Sequence, residues 1–338
     1  MKSVYIIAEI GPNHNGDLNI ALDMIDKLAT IGVDAIKFQL VNPDKLYSKD
    51  SFKAKYQVSA NIKESAKEMS KKMQLPANDH IKLYERCEKY GVDYLATGFD
   101  MDSISFLNEN FDLKYFKIAS GEIFSLDVID YISKIDKPII LSTGMSNYDE
   151  IEKSIALLNN NFKKNITILH CISSYPAPFN SVNLKNLLEL SDRFNYPVGF
   201  SDHTLGNECA IASVAMGGIM IEKHVTFDKD ANGPDHKASA TIEEFKTLVT
   251  NIRNIELALG NKQRVISKKE IETRDVARKS IVSKRDIEVG SILKIDDFCF
   301  KRPGTGFLPI QIEEIIGKKV TEKIEKDRVI LKNSIEWK

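Results

Sequence analysis

Two stretches, Tyr196-Pro197-Val198-Gly199-Phe200-Ser201-Asp202-His203 and Gly218-Ile219-Met220-Ile221-Glu222-Lys223-His224, decide how this chain folds. Each is an apolar run that ends in polar residues and a histidine. Runs of this length and composition suit strands buried on both faces. As neighbouring parallel strands they would lie about 4.8 Å apart, with both histidines leaving the sheet at the same end. Two imidazoles so placed could share one divalent cation, at roughly 2.0–2.1 Å per nitrogen for zinc. The alternative is two separate histidines closing off two buried strands.

Working outward, the same pattern recurs along the chain. Apolar runs at 4–8, 35–39, 94–97, 115–118, 138–142 and 166–170 read as strands, and most end in a chemically active residue. Between them the apolar spacing turns helical. Leu18, Ala21, Leu22, Ile25, Leu28 and Ala29 share one face, and Gly32 fits the stop. Further helices are expected over 81–90, 104–107, 126–135, 184–190 and 208–216. Ser146 with Asp149 resembles a capping box, with Ile151, Ile155 and Leu158 on one face after it. Thr241 with Glu244 is a full S/T-x-x-E box, heading an apolar face that ends at Leu259. Eight β-α units in about 260 residues match a (β/α)₈ TIM barrel. No GxGxxG follows the first strand to support a doubly wound sheet instead.

Three domains of texture emerge. Residues 1–260 form the barrel. The charged stretch 261–275 reads as a linker, and 276–338 as a small, mostly β module. Residues 40–77 interrupt the barrel's rhythm, too long for an ordinary βα loop of about 2–6 residues. They read as a lid or as a partly helical surface excursion.

Composition narrows the function. With 43% hydrophobic and 28% charged residues, a water-soluble globular protein is expected. A net charge of −1 speaks against a dedicated nucleic-acid binder. No apolar run approaches the ~18 residues of a membrane span, and no signal peptide is evident. The four cysteines, Cys87, Cys171, Cys209 and Cys299, show no CxxC spacing, which points to the reducing cytoplasm.

In a TIM barrel the active site lies at the C-terminal strand ends. Those ends carry Glu9, Lys37, Thr97, Lys117, Ser142, His170, Ser201, His203, Glu222 and His224. A lysine inside an apolar strand is rarely left alone, because burying an isolated ammonium is costly. Lys37 and Lys117 therefore read as a pocket for a phosphorylated or carboxylated substrate, or as structural ion pairs. Ser120-Gly121, Ser142-Thr143-Gly144 and Ser201 add hydroxyl donors, and the glycines let the backbone approach. Glu9, Glu122 and Glu222 are candidate bases. Asp235, in Gly233-Pro234-Asp235-His236, caps a turn or meets a substrate hydroxyl. This set suits condensation of an enol phosphate with a metal-polarised aldehyde, a metal-dependent aldolase, or a phosphohydrolase.

The motifs Ala8-Glu9-Ile10-Gly11-Pro12-Asn13-His14-Asn15-Gly16, Ile36-Lys37-Phe38-Gln39, Lys117-Ile118-Ala119-Ser120-Gly121-Glu122, Leu141-Ser142-Thr143-Gly144-Met145, Ser201-Asp202-His203, Glu222-Lys223-His224 and Gly233-Pro234-Asp235 resemble the sialic acid synthases. The tail with Lys301-Arg302-Pro303-Gly304 looks like their antifreeze-like SAF domain. The resemblance covers essentially the whole chain. It implies condensation of phosphoenolpyruvate with an N-acyl mannosamine, N-acetylmannosamine first, to give N-acetylneuraminate and phosphate. Legionaminate or pseudaminate synthesis from a 2,4-diacetamido-trideoxyhexose is the alternative.

A divalent cation is implied, Mn²⁺ before Mg²⁺ or Co²⁺, on His203 and His224. Lys37, Lys117, Ser120, Ser142 and Ser201 would hold phosphoenolpyruvate. Glu9 and Glu122 would act on water and nearby protons. Gln39, Tyr175 and Asp235 would meet the sugar, with Thr97 beside them. Arg302 would enter the barrel of a second copy in a domain-swapped homodimer. Three departures from the family pattern stand out: Thr97-Gly98-Phe99 in place of Thr-Pro-Phe, which predicts a more mobile loop, Cys171-Ile172-Ser173-Ser174-Tyr175, and Thr305 for a common Asn. Lys53-Ala54-Lys55-Tyr56-Gln57 resembles a pattern shared by the bacterial N-acetylneuraminate and legionaminate synthases.

Overall fold

The computed structural model describes residues 3–54, 57, 64–261 and 263–337. The chain divides into two compact units, Met1–Gly260 and Asn261–Lys338.

The first unit is the expected (β/α)₈ barrel. Its strands are β1 (Tyr5–Glu9), β2 (Ala35–Leu40), β3 (Asp93–Gly98), β4 (Phe116–Ile118), β5 (Ile139–Ser142), β6 (Ile166–Cys171), β7 (Val198–Asp202) and β8 (Met220–Thr226). All pair in parallel, in the order β3-β2-β1-β8-β7-β6-β5-β4. β3 and β4 lie side by side to complete the ring, with no ladder between them among the described residues. A two-residue β9 (Ala240–Thr241) adds to β8.

Strand alternation sorts the side chains into two faces. Ile6, Ala8, Ile36, Phe38, Ile168, Phe200 and Ile221 point outward, into the core beneath the helices. Ile7, Ala35, Leu95, Ile140, Leu169 and Met220 fill the barrel interior. Two residues further along each strand, the inward positions are Glu9, Lys37, Thr97, Ser142, Cys171, Ser201 and Glu222. The interior is thus apolar below and charged above, with the change falling across one step of the period-2 pattern. Gly199 marks the tightest interior point: a Cβ there would lie 2.4 Å from the Met220 carbonyl oxygen.

The helices follow their caps. Asp17 accepts from the backbone N–H groups of Asn19 and Ile20 and starts the helix Leu18–Ala29, which buries Ala21, Met24, Ile25 and Leu28. The box at Thr241 and Glu244 is formed and opens Ile242–Leu259. The box expected at Ser146 and Asp149 falls one residue later, on Asn147 and Glu150, at the head of Tyr148–Leu158. Asn147 takes extended backbone angles and so becomes the cap.

Gly98 is the last residue of β3, not part of a loose loop. A Cβ there would lie 2.6 Å from Ile104 Cγ1, so the helix Met101–Asn110 sits down on it. Among its described residues the insertion holds the helices Pro43–Leu46 and Ala66–Met73, the second opened by a Ser65–Glu68 box. Of the Lys53–Gln57 pattern, Lys55 and Tyr56 lie outside the described residues.

In the second unit, the stretch read as a linker carries a helix, Lys268–Ala277, capped by Ser267. Beyond it β10 (Ser280–Ser283) pairs antiparallel with β11 (Phe298–Lys301). Isolated bridges such as Ile287–Ile324 and Val320–Ile335 extend the pairing. Ile281, Ile287, Leu293, Phe298, Phe307, Ile315 and Ile330 close its own small core.

Candidate active site

A cavity of about 390 Å³ opens at the C-terminal ends of the strands. Glu9, Lys37, Gln39, Thr97, Lys117, Ser120, Ser142, Tyr175, Ser201, His203, Glu222, His224 and Asp235 all line it. These include most of the residues expected from the sequence, brought together from every strand of the barrel.

The floor is a network of opposite charges. Lys37 Nζ lies 2.6 Å from Glu9 Oε2 and 3.8 Å from Glu222 Oε1. Lys117 Nζ donates to Glu222 Oε1 at 3.1 Å, and the Ser201 hydroxyl donates to the same oxygen at 3.2 Å. Lys37 Nζ also donates to Thr97 Oγ1 at 3.3 Å, and Gln39 Nε2 donates to Glu9 Oε1 at 3.0 Å. All four charged groups are buried.

Burial and charge set their protonation. Burial opposes the ionised form of Glu222, but Lys117 and Lys37 outweigh it and hold the carboxyl at about 2. Burial wins at Glu9 and raises its pKa against the pull of Lys37. Burial lowers Lys117, whereas Glu222 and Glu9 overcome burial at Lys37 and raise it. One carboxylate is thus firmly ionised, and another is poised closer to neutrality.

The network is incomplete. Glu222 Oε2 and Ser142 Oγ are buried without a hydrogen-bond partner among the described residues. Ser120 Oγ accepts from the Gly144 N–H at 2.9 Å, and its side chain also hydrogen-bonds to Cys171. Gly144 permits this approach, since a Cβ there would lie 2.3 Å from Ser173 Oγ. Two ammonium groups and the unpartnered Ser142 hydroxyl are the donors that an anion entering the cavity would meet.

The histidines form one wall. Their rings lie 5.4 Å apart, the separation of two imidazoles sharing an ion at about 2.1 Å per bond. His203 Nδ1 donates to the Ile172 carbonyl at 2.8 Å, so its lone pair is on Nε2. His224 Nδ1 is buried and has no hydrogen-bond partner among the described residues, and Asp235 Oδ2 lies 3.6 Å from it. Burial, then His203 and the lysines, hold His224 well below its usual pKa, so the ring is neutral. Burial raises Asp235 to about 6. The orphaned nitrogen fits a cation. Among the described residues no three acidic, thiol or imidazole side chains form a closed cage. The wall therefore fits an open site that solvent or substrate completes. Tyr175 stacks on His203 at 4.2 Å and meets His224 edge-on at 5.8 Å.

One expected residue of the barrel unit is not brought here. Glu122 does not line the cavity: it lies in the 3₁₀ turn Ser120–Glu122, where the chain leaves strand geometry, and it accepts from Ser125 Oγ instead. Burial, partly offset by Ser125, raises its pKa. Arg302 belongs to the second unit, where it lines a separate groove with Lys301, Asp327 and Arg328. His170 also departs from the strand-end set. It faces outward, stacks on Phe200 and contacts the Val182 carbonyl through Nε2 at 2.6 Å.

Other lining residues escaped the sequence reading. The insertion contributes Leu46, Tyr47, Met69, Met73 and Gln74, joined by Phe99. The i, i+4 spacing of Met69 and Met73 was the available signal. Lys223, adjacent to Glu222, points outward and pairs with Asp202 at 2.8 Å.

Barrel and cavity together define a (β/α)₈ protein with two buried ammonium groups beside a histidine pair. The NeuB family model matches residues 24–264, and the SAF domain matches residues 278–336. The chain belongs to the NeuB family and is an enzyme of the sialic acid, legionaminate and pseudaminate synthase type. It is 44% identical over 333 residues to an N,N'-diacetyllegionaminic acid synthase of Campylobacter jejuni, covering 98% of this chain and 99% of the relative. It is 39% identical to the protein of that name from Legionella pneumophila, covering 98% and 94%. The crystal structure of a sialic acid synthetase from Leptospira borgpetersenii, in complex with citrate, superposes with a TM-score of 0.72. It is 33% identical and covers 80% of this chain and 90% of that one.

Proposed function

We propose that this enzyme condenses phosphoenolpyruvate with a 2,4-diacetamido-2,4,6-trideoxyhexose and water, releasing phosphate and a legionaminate-type sugar acid. The observation that carries the reaction is the charged layer of Lys37, Lys117, Glu9 and Glu222 beside the His203–His224 wall. The sugar differs from the first expectation, N-acetylmannosamine. Two relatives at 44% and 39% identity are named for diacetyllegionaminic acid. The insertion side of the cavity also presents Leu46, Met69 and Met73 beside its polar residues, an apolar surface that matches a deoxy carbon better than the outer hydroxyl of N-acetylmannosamine.

In this reading Lys37 and Lys117 turn from Glu9 and Glu222 to the carboxylate and phosphate of the enol. Ser120, Ser142 and Ser201 donate to the remaining oxygens. A divalent cation on His203 and His224, Mn²⁺ by preference, would supply Lewis-acid polarisation of the sugar aldehyde. Asp235, Gln39 and Tyr175 position the sugar so that the enol carbon attacks its aldehyde carbon, whose oxygen takes up a proton from solvent and becomes a hydroxyl. Glu9 orients water toward the oxocarbenium carbon that results and takes the water proton on its carboxylate. Phosphate then leaves by C–O cleavage. Fixed charges around the separated charges contribute most of the rate.

A second copy supplying Arg302 completes the proposal. Phe124, Met145, Phe179 and Leu205, on loops after β4, β5, β6 and β7, are exposed apolar residues suited to burial against it. Light scattering at twice the chain mass of 38.1 kDa checks this.

The test is phosphate release from phosphoenolpyruvate and Mn²⁺ with 2,4-diacetamido-2,4,6-trideoxymannose and N-acetylmannosamine in competition. Preferential consumption of the diacetamido sugar is expected. Preference for N-acetylmannosamine would overturn the sugar assignment and leave the reaction standing.

A further inference from the structure

We infer that Gln74, with Met69, Met73 and Tyr47, forms the subsite that recognises the second acylamino group of the sugar. This inference rests on the condensation proposed above, because it assigns one end of the substrate of that reaction.

The chemistry sits at the charged floor, so the aldehyde end of the sugar must lie there. Its acylamino group at C2 adjoins the reacting carbon and stays near the floor. The groups at C4 and C6 reach further out along the chain. Residues of the insertion follow β2 and lie beyond the strand ends, and they line the same cavity. They are the wall that the outer part of the sugar meets.

That wall carries the polar residues Gln57, Ser70 and Gln74 among its apolar ones, and of these Gln74 has an oxygen left without a partner among the described residues. Gln74 caps the helix Ala66–Met73 through its backbone N–H, which donates to the Ser70 carbonyl. Its side-chain Oε1 is shielded from solvent and has no hydrogen-bond partner among the described residues. A buried amide oxygen without a donor is costly. Met69 and Met73 line the same cavity, and Tyr47 is committed to Ser70. Two thioethers beside the Gln74 amide are complementary to an acetamido group: methyl against sulfur and methylene, amide against amide. An acetamido group offers both an N–H and a carbonyl, so the pairing works for either orientation of the glutamine amide. A hydroxyl at C4, as in N-acetylmannosamine, would offer a donor but leave the methionine surface unfilled.

The experiment compares wild type with Gln74→Leu, in phosphoenolpyruvate and Mn²⁺, on the diacetamido trideoxymannose and on N-acetylmannosamine. KM for the diacetamido sugar should rise about tenfold, the loss of one neutral hydrogen bond. The turnover number and the phosphoenolpyruvate KM should stay within about twofold, and the preference between the sugars should shrink by about the same tenfold factor. An equal loss on both sugars, a fall in turnover alone, or no change would overturn the assignment. If wild type releases phosphate with neither sugar, the functional reading fails on its own. Calorimetric binding of the diacetamido sugar alone then decides: an unchanged Kd in Gln74→Leu, or no binding to wild type, overturns the subsite.

Discussion

Glu222 and Lys223 are neighbours on β8 and face opposite sides of the barrel wall. Both are buried and both are ion-paired, yet the two pairs differ in how completely they are satisfied. On the outer face Lys223 Nζ donates to Asp202 Oδ2 at 2.8 Å and to the Thr204 carbonyl at 2.7 Å. Asp202 Oδ1 accepts from the Thr204 N–H at 2.9 Å and from its hydroxyl at 2.7 Å. Every contact there is closed. On the inner face Glu222 Oε1 is shared by Lys117, Lys37 and Ser201, while Oε2, Ser142 Oγ and His224 Nδ1 have no hydrogen-bond partner among the described residues. A closed buried pair fixes a loop; an open one of the same charges waits for a ligand. The difference separates structure from function more sharply than charge or burial does.

The comparison can be broken first on its outer side. Lys223→Met leaves Asp202 buried and unpaired, so the fold should lose about 3–5 kcal/mol. Urea unfolding measures this, and enzyme that remains folded should turn over near the wild-type rate. A loss of activity without loss of stability would show that the outer pair is not merely structural. On the inner side, Lys117→Met should cost about 10²–10³-fold in turnover, the scale of one preorganised donor. Its midpoint in urea should move little, because Glu222 keeps Lys37 and Ser201. A large fall in stability with modest loss of activity would reverse the two roles.

Much of this was legible in the sequence, and the reason is periodicity. A strand carries its side chains inward and outward in strict alternation, so Lys37, Lys117 and Glu222 within apolar runs already implied one charged layer. His203 and His224 could be paired because consecutive strands of such a barrel are adjacent. Legibility ended where the strands ended. Glu122 lies only five residues beyond Lys117, but the intervening 3₁₀ turn rotates it toward Ser125. Gly98 read as a mobile break, although it is a packing position under Ile104, a distinction only tertiary contact can make. Gln74 and the methionines were hidden in a lysine-rich insertion, where no strand register says which residue faces the cavity.

In the proposed function the open inner layer and the histidine wall serve one reaction between an enol phosphate and an acylamino sugar. Inorganic phosphate release tests it most directly, measured with phosphoenolpyruvate, diacetamido trideoxymannose and Mn²⁺ together and with each left out in turn. Release only with all three present, one phosphate per sugar consumed, is the predicted result. Release from phosphoenolpyruvate without the sugar, or none with any acylamino hexose, would contradict it.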